Sequence, residues 1–235
     1  MGIFDATLRA TRSIFPTDRR LQVEEALTRR WATDVAGAGL DPYELHWVDP
    51  GLVVRISGRA RPRQGGHAGC GRVEGGDWDL RPPDPGGDPI AKLVCESRFE
   101  DTSHFRSLAH HFIEGAPWAD TELISVLRAQ KGDPSWPAYK NLEAIDLTCR
   151  RLDSLFADVV NRGVRPNREL VLERRYGESF LFTMRHEILI DVARDGQMLF
   201  YEGRHRLSIA KLAGVSRIPV AIATRHQASL EGSHR

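Results

Sequence analysis

The segment EGRHRLSIAKLAGVSRIPVAI, residues 202–222, carries the most informative order of local signals in this sequence. Gly203 is followed at once by the cationic string Arg-His-Arg at residues 204–206, and a helix-forming stretch then runs to Gly214. An Ile-Pro-Val pattern typical of a strand comes next. Because the first backbone N–H groups of a helix have no partner within it, this order predicts a helix whose first turn faces an anion.

The residues just before this segment predict a β-hairpin. The string EILIDVARDG covers residues 187–196 and ends in an Asp-Gly turn, and QMLFY at residues 197–201 supplies a second strand. Asp-Gly between two apolar runs is a strong hairpin signal. The sequence therefore predicts strand, strand, helix and strand in order over residues 187–226.

The charged side chains around Gly203 predict a phosphate site. Two fixed cations and an imidazole are costly to pack at one helix start unless something negative lies between them. Ser208, one turn into the helix, is predicted to add a hydroxyl donor, and Arg225 with His226 at the end of the next strand is predicted to reach the same rim. The alternative is that these side chains are merely solvated, as exposed cations at helix starts often are.

The same residues carry a resemblance to a known family. The segment 202–222 resembles the signature of the ParB/sulfiredoxin superfamily, in which a strand ending in a Gly-Glu-Arg-Arg-like box runs into a helix and then an Ile-Pro-Val strand. LDSLFADVVNRGV, residues 152–164, is similar to that family's helix before its first core strands. The resemblance covers residues 150–226 and implies an α+β fold with a small mixed sheet flanked by helices.

The resemblance also implies a ligand and site residues. In the ParB branch the box binds the triphosphate of a nucleotide, so Gly203, Arg204, His205 and Arg206 would contact the phosphates of ATP or another nucleoside triphosphate, accompanied by Mg²⁺. Arg204 stands where ParB-like proteins have an acid and where sulfiredoxins have their catalytic cysteine, so sulfinic-acid reduction is not expected. On this basis Arg206→Ala is expected to abolish nucleotide binding and leave the fold intact.

Two functions follow from this pocket. Because the superfamily includes free-serine kinases, we favour an ATP-dependent phosphotransferase acting on a hydroxyl of an unidentified small molecule or protein. The alternative is a ParB-like nucleotide-dependent DNA-binding module or nuclease. Nucleic acid is the less favoured partner, because the net charge is only +1 and QASLEGSHR follows the last strand where a helix-turn-helix is expected.

Carboxylates that could serve phosphoryl transfer lie in two places. Asp77 and Asp79, in the string GGDWD, are spaced so that both could face one Mg²⁺ ion, and we predict them as catalytic residues and metal ligands. The alternative is a turn in which the aspartates cap backbone amides and Trp78 fills the core. Glu202, beside the box, and Glu187, at the start of the hairpin, are further candidates for the base.

The remainder of the chain predicts mostly helices. Apolar residues recur at helical spacing after Thr17 and again over residues 97–113, 120–129 and 142–162. A Gly/Pro-rich stretch at residues 61–89 predicts an ordered loop. We therefore predict a mainly helical N-terminal region, residues 1–140, and a phosphate-binding domain, residues 141–235.

Composition narrows the class of protein. The 235 residues contain 33 Lys and Arg against 32 Asp and Glu, so any anion binding must be local. We find no apolar run long enough to span a bilayer and no secretory signal, and three widely spaced cysteines do not suggest a disulfide framework. These features predict a cytoplasmic protein with no membrane partner.

Overall fold

The fold is taken from a computed structural model that describes residues 19, 22–27, 41, 44–59, 70–133, 139–174 and 187–231. Of the helix predicted after Thr17, the described part is helical over residues 22–27. The rest of that prediction lies outside the described residues, as do residues 60–69 of the predicted loop.

The described residues form a mixed sheet of six strands. The strands are β1 (Leu45–Val48), β2 (Arg55–Ile56), β3 (Arg72–Glu74), β4 (Ile188–Val192), β5 (Met198–Glu202) and β6 (Ile218–His226). The order is β1-β6-β4-β5-β2, and β3 pairs with β6 beyond the end of β1. β4 lies parallel to β6 and antiparallel to β5.

Most of the helices lie between β3 and β4 along the chain. The α-helices are α1 (Pro89–Lys92), α2 (Ser103–Phe112), α3 (Glu122–Ala129), α4 (Leu142–Arg162), α5 (Asn167–Arg174), α6 (Arg204–Leu212) and α7 (Gln227–Glu231). Short 3-10 turns lie at Pro50–Leu52, Phe99–Asp101 and Trp118–Asp120. In the described part of the chain, no helix has both the length and the apolar character that crossing a bilayer requires.

The main core lies between one face of the sheet and helices α2, α3, α4 and α6. All five residues of β4 are buried, as expected for a strand in the middle of a sheet. Phe99 and Phe200 meet edge to face at the centre of this core, with ring centroids 4.7 Å apart. Helix α6 packs on β4, α2 and α4, so its first turn is fixed by both the sheet and the helical layer.

The predictions for the last third of the chain are confirmed at the level of elements. The hairpin forms with its turn at Asp195-Gly196, and the next helix and strand follow in the predicted order. Helix α4 has the predicted bounds, with Asn141 capping its start and Gly163 ending it. The chain is thus α+β, as predicted.

The organisation of residues 1–140 differs from the prediction. The described part of that region contributes three strands as well as helices, and these strands pair with β5 and β6 of the C-terminal region. Sheet and main core both extend across residue 140. A strand as short as β2, with two residues, shows no alternation of apolar and polar side chains. The sequence of this region therefore predicts its helices and not its strands.

A buried charge is held on the sheet face opposite α6. Asp191 of β4 is fully buried, and its carboxylate accepts a hydrogen bond of 2.6 Å from Ser57 Oγ and two from Arg59. The guanidinium of Arg59 also lies over the ring of Tyr201, 4.3 Å from its centroid. The residues after β2 therefore neutralise a carboxylate within the central strand.

Candidate functional site

Gly203 makes the turn that joins β5 to α6. Its backbone is left-handed, with φ 93° and ψ 32°. A Cβ atom at this position would lie 2.9 Å from the Cα of Ile188 and 3.3 Å from the carbonyl oxygen of Glu187. Both the conformation and the close approach require glycine, so the turn is pressed against the start of β4.

The first turn of α6 begins with backbone N–H donors. No side chain caps the helix start, and the first turn contains no acidic residue. Leu207 N is the first amide to bond within this turn, donating to Gly203 O at 3.1 Å. Within the described part of the chain, the backbone N–H groups of residues 204 and 205 make no hydrogen bond, so they leave a local partial positive charge beside Gly203.

Arg204 is the cation of the box that remains uncommitted. It is partly buried, and within the described part of the chain it makes no hydrogen bond or ion pair. Its Nε atom is buried without an acceptor. A buried guanidinium donor without a partner costs free energy, which a bound anion would relieve.

Arg206 points into the protein and not toward an external ligand. Its Nη1 atom donates to Glu187 Oε2 and to Asn167 Oδ1, each at 2.9 Å, and its Nη2 atom donates to the carbonyl of Arg165 at 2.6 Å. Glu187 is fully buried, and its Oε1 atom also accepts a hydrogen bond from the backbone N–H of Asn167. The expectation that the charge of Arg206 serves a ligand, and that Arg206→Ala spares the fold, is therefore corrected.

This buried ion pair also changes the role of Glu187. Burial raises the pKa of its carboxyl, and the charge and hydrogen bonds of Arg206 act against that rise. With both oxygens engaged and no exposed surface, Glu187 is a structural anchor. Glu202, by contrast, is exposed at the end of β5 beside Gly203.

Ser208 and His205 belong to a hydrogen-bonded chain that includes a residue missed in the sequence. Ser208 Oγ lies 3.3 Å from His104 Nδ1, and His104 Nε2 lies 2.9 Å from His205 Nδ1. Ser208 and His104 are fully buried. The predicted direct contact of the Ser208 hydroxyl with phosphate is thus corrected, because that hydroxyl faces His104 on α2.

Both histidines of this hydrogen-bonded chain are neutral. Burial lowers the pKa of His205 to about 3, and the neighbouring charge of Arg204 adds to the effect. Burial likewise lowers the pKa of His104 well below its ordinary value, with His205 and Arg204 contributing. Neutral imidazoles are hydrogen-bond donors on one nitrogen and acceptors on the other.

Arg225 does not reach the box. It pairs in register with Val192, whereas Val220 of the same strand pairs with Ile188 beside Gly203. Ile188 and Val192 are four residues apart on β4, which separates the two levels by about 13 Å. His226, one residue further along, bonds to the carbonyl of Gly76 at 2.8 Å, so the predicted shared rim is not formed.

Asp77 and Asp79 face a guanidinium. Asp79 is buried and accepts hydrogen bonds from the backbone, Nε and Nη2 of Arg194, while exposed Asp77 accepts from Nη2 at 2.7 Å. Arg194 follows β4, so the two aspartates lie at the far end of the hairpin, about 20 Å from Gly203 at 3.3 Å per residue. The structure does not bring the predicted metal ligands and the box together.

The GGDWD string is ordered, as the predicted loop required. Trp78 is buried against Ala193 and Leu199, and its indole donates to the carbonyl of Glu74. In the described residues, no group of three or more His, Cys, Asp or Glu side chains is placed to hold a metal ion. A surface depression of about 460 Å³ lies near the β2 edge and includes none of the box residues; it is lined by Leu52, Val54, Arg55, Ser97, Arg98, Gln197 and Met198.

The comparisons with known proteins give no relative. No protein-family model, no curated protein and no solved structure matches this chain.

Proposed function

We propose that the chain binds the phosphates of a nucleoside triphosphate at the first turn of α6 and acts as an ATP-dependent phosphotransferase. One observation carries the proposal: beside the left-handed Gly203, uncapped helix amides accompany Arg204, whose buried Nε has no acceptor. Backbone donors and an uncommitted guanidinium are the groups that bind phosphate oxygens. The resemblance of residues 202–222 to the ParB/sulfiredoxin box supports the same ligand.

Within this proposal the cations of the box have different tasks. The guanidinium of Arg204 and the backbone amides of residues 204 and 205 contact phosphate. Arg206 holds the start of α6 against Glu187 and the carbonyl of Arg165, so it fixes the orientation of those amides. A rigid turn lowers the entropy lost when the phosphate binds.

Exposed Glu202 is the proposed base for transfer. Its carboxylate takes the proton of an acceptor hydroxyl, the acceptor oxygen forms a bond to the γ-phosphorus, and the bond to the β,γ-bridging oxygen breaks to release ADP. The described residues offer no carboxylate cluster at the box to hold a resident metal. We therefore treat Mg²⁺ as part of the incoming nucleotide and assign it no protein ligand.

Calorimetric titration with Mg·ATP tests the binding step. Arg204→Ala is expected to weaken affinity about tenfold to a hundredfold, because charge-assisted hydrogen bonds are lost, without loss of stability. Exposed Arg217, which contacts the carbonyl of Trp47 beyond the far end of α6, gives the control variant Arg217→Ala. Equal affinity in wild type and both variants would remove the proposal.

Mass spectrometry of small-molecule pools and protein extracts incubated with Mg·ATP tests the transfer step. A phosphate gain that depends on the chain supports a phosphotransferase. Nucleotide binding without any phosphate gain would reject the transfer step and leave a nucleotide-binding module, the class to which a DNA-binding switch belongs.

A further inference from the structure

We infer that Ser208 and His104 are positioning residues that fix His205 as the tautomer with a proton on Nε2, which makes His205 a neutral hydrogen-bond donor to phosphate. The inference rests on the proposed phosphate site for its functional consequence. The tautomer itself follows from the geometry of the three side chains.

Ser208 carries a buried hydroxyl that faces His104. Ser208 has no exposed surface, and within the described part of the chain its sole hydrogen-bond partner is His104 Nδ1, 3.3 Å away. A buried hydroxyl must donate to an acceptor, or its desolvation is left without compensation. The hydroxyl of Ser208 therefore donates to Nδ1 of His104.

The proton positions of the two imidazoles follow in order. His104 is fully buried and neutral, so when its Nδ1 accepts, its proton is on Nε2. That N–H donates to His205 Nδ1 at 2.9 Å. His205 is neutral in turn, and since its Nδ1 accepts, its own proton is on Nε2.

The opposite set of tautomers is disfavoured. If His104 carried its proton on Nδ1, the Ser208 hydroxyl would be a buried donor without an acceptor. The population of that arrangement is therefore lower by a factor of about ten or more. The depressed pKa values of both histidines agree with neutral rings. Arg204 is the charged group that acts on both rings.

The His205 end of this hydrogen-bonded chain is open to a ligand. His205 is partly buried, and its Nε2 atom has no partner in the described part of the chain. His205 follows Arg204 directly, so an N–H group joins the guanidinium and the helix amides as a phosphate donor.

The tautomer also restricts the chemistry. With its proton on Nε2 and its Nδ1 occupied by His104, His205 has no free lone pair for an acceptor hydroxyl. It cannot be the general base in this state. The arrangement assigns α2, which lies before the segment that resembles the nucleotide box, a direct part in setting the donor pattern of that box.

The first experiment measures the tautomers without any ligand. Long-range proton–nitrogen correlation spectra of ¹⁵N-histidine-labelled protein at neutral pH distinguish a protonated ring nitrogen from an unprotonated one. We expect an unprotonated Nδ1 and a protonated Nε2 for both His104 and His205. A proton on Nδ1 of either ring, or a doubly protonated ring, overturns the inference whether or not ATP binds.

The second experiment changes the hydroxyl. Ser208→Ala removes the donor that selects the tautomer, so the Nε2–H form of His205 is expected to fall toward half. Affinity for Mg·ATP then falls about twofold, in proportion to the competent fraction. Ser107→Ala is the matched control. Ser107 lies on α2 and is buried like Ser208, but its hydroxyl accepts a hydrogen bond from the backbone N–H of Leu123.

The two experiments separate failure of the inference from failure of the proposed function. A Ser208→Ala protein with wild-type histidine spectra overturns the positioning role. Changed spectra with unchanged ATP affinity overturn the contact of His205 with phosphate. If the wild-type protein binds no Mg·ATP while its spectra show the expected tautomers, the proposed function fails, the donor role fails with it, and the tautomer assignment stands.

Discussion

Nη1 of Arg206 lies 2.9 Å from Oε2 of Glu187, and the two side chains are 11% and 0% exposed. The pair ties the first turn of α6 to the residue that precedes β4. Because the helix start and the strand start are joined by this buried contact, the orientation of the proposed phosphate donors depends on it.

Arg206→Ala is expected to destabilise the fold by about 3–5 kcal/mol, because it leaves the Glu187 carboxylate buried without its cation. Urea unfolding measures the change. The double variant Arg206→Met with Glu187→Leu removes both charges and should lose less stability than the single variant. A midpoint for Arg206→Ala equal to that of the wild type would show that the pair is not structural.

Gly203→Ala and Gly214→Ala form a matched pair of variants at the two ends of α6. Both glycines are left-handed, with φ 93° and φ 66°. An added Cβ meets the backbone of Ile188 at position 203, but nothing lies within 4 Å at position 214. We expect a loss of about 1 kcal/mol for Gly214→Ala and more than about 2 kcal/mol for Gly203→Ala, measured by urea unfolding.

Equal losses for the two glycine variants would contradict the close approach of the turn to β4. In the proposed site, Gly203→Ala should also weaken Mg·ATP binding, since it displaces the helix amides. Gly214→Ala should leave that affinity unchanged.

Asp79→Asn is expected to cost about 2 kcal/mol at neutral pH, because Asp79 accepts charge-assisted hydrogen bonds from Arg194. These hydrogen bonds lower the pKa of Asp79 from 3.8 to about 2. With the folded pKa below the unfolded one, the contribution is present above about pH 4 and is lost as pH falls through about 2. Asp79→Asn should remove that part of the acid dependence.

Asp77→Asn is the control for this site. Asp77 has the same arginine as its partner but is 72% exposed, so its loss should cost less than about 1 kcal/mol. Urea unfolding at pH 7 and pH 3 compares the two variants. If both cost the same, burial of the Asp79 pair is not what stabilises the loop.

Glu202→Gln tests the proposed base. In an assay for phosphate transfer, the turnover rate should fall about 100-fold or more, because a general base contributes that much. Affinity for Mg·ATP and the unfolding midpoint should stay near wild type, since Glu202 is exposed. Glu96→Gln, which changes an exposed carboxylate outside the box, is the control; equal rates in the two variants would reject Glu202 as the base.

The free energy of unfolding is expected to fall at acidic pH because of His104 and His205. Burial lowers the pKa of His205 from 6.5 to about 3 and that of His104 well below 6.5. Below about pH 6.5 the unfolded chain binds protons that the folded chain does not, so stability falls as pH decreases from 6.5 toward 3. The unfolding midpoint, followed from pH 8 to pH 5, should fall less steeply in His104→Phe than in the wild type; parallel curves would contradict neutral burial.

Local patterns carried the prediction of the C-terminal third. The Asp195-Gly196 turn, the apolar face of residues 142–162 and the glycines at positions 203 and 214 act through neighbouring residues in the chain. Such signals depend on backbone conformation and helical or strand period, which a single sequence displays. The same signals gave no indication that residues 45–74 would extend the sheet.

The roles of the charged side chains were decided by distant partners. Arg204 and Arg206 look equivalent in the sequence, yet one lacks an acceptor for its buried Nε and the other meets Glu187. His104, from a segment far from the box, reaches His205 across the α2–α6 contact. Asp79 also meets a distant partner, Arg194, at the position where the sequence predicts a metal ligand.

The sequence by itself determined the order of secondary structure, the glycine at the start of α6 and the concentration of cations there, because these are properties of neighbouring residues. Tertiary structure alone decided which cation faces the protein, which histidine nitrogens face one another and which carboxylate is exposed. Those outcomes depend on desolvation and on hydrogen-bond partners that are brought together only when the sheet and the helical layer pack.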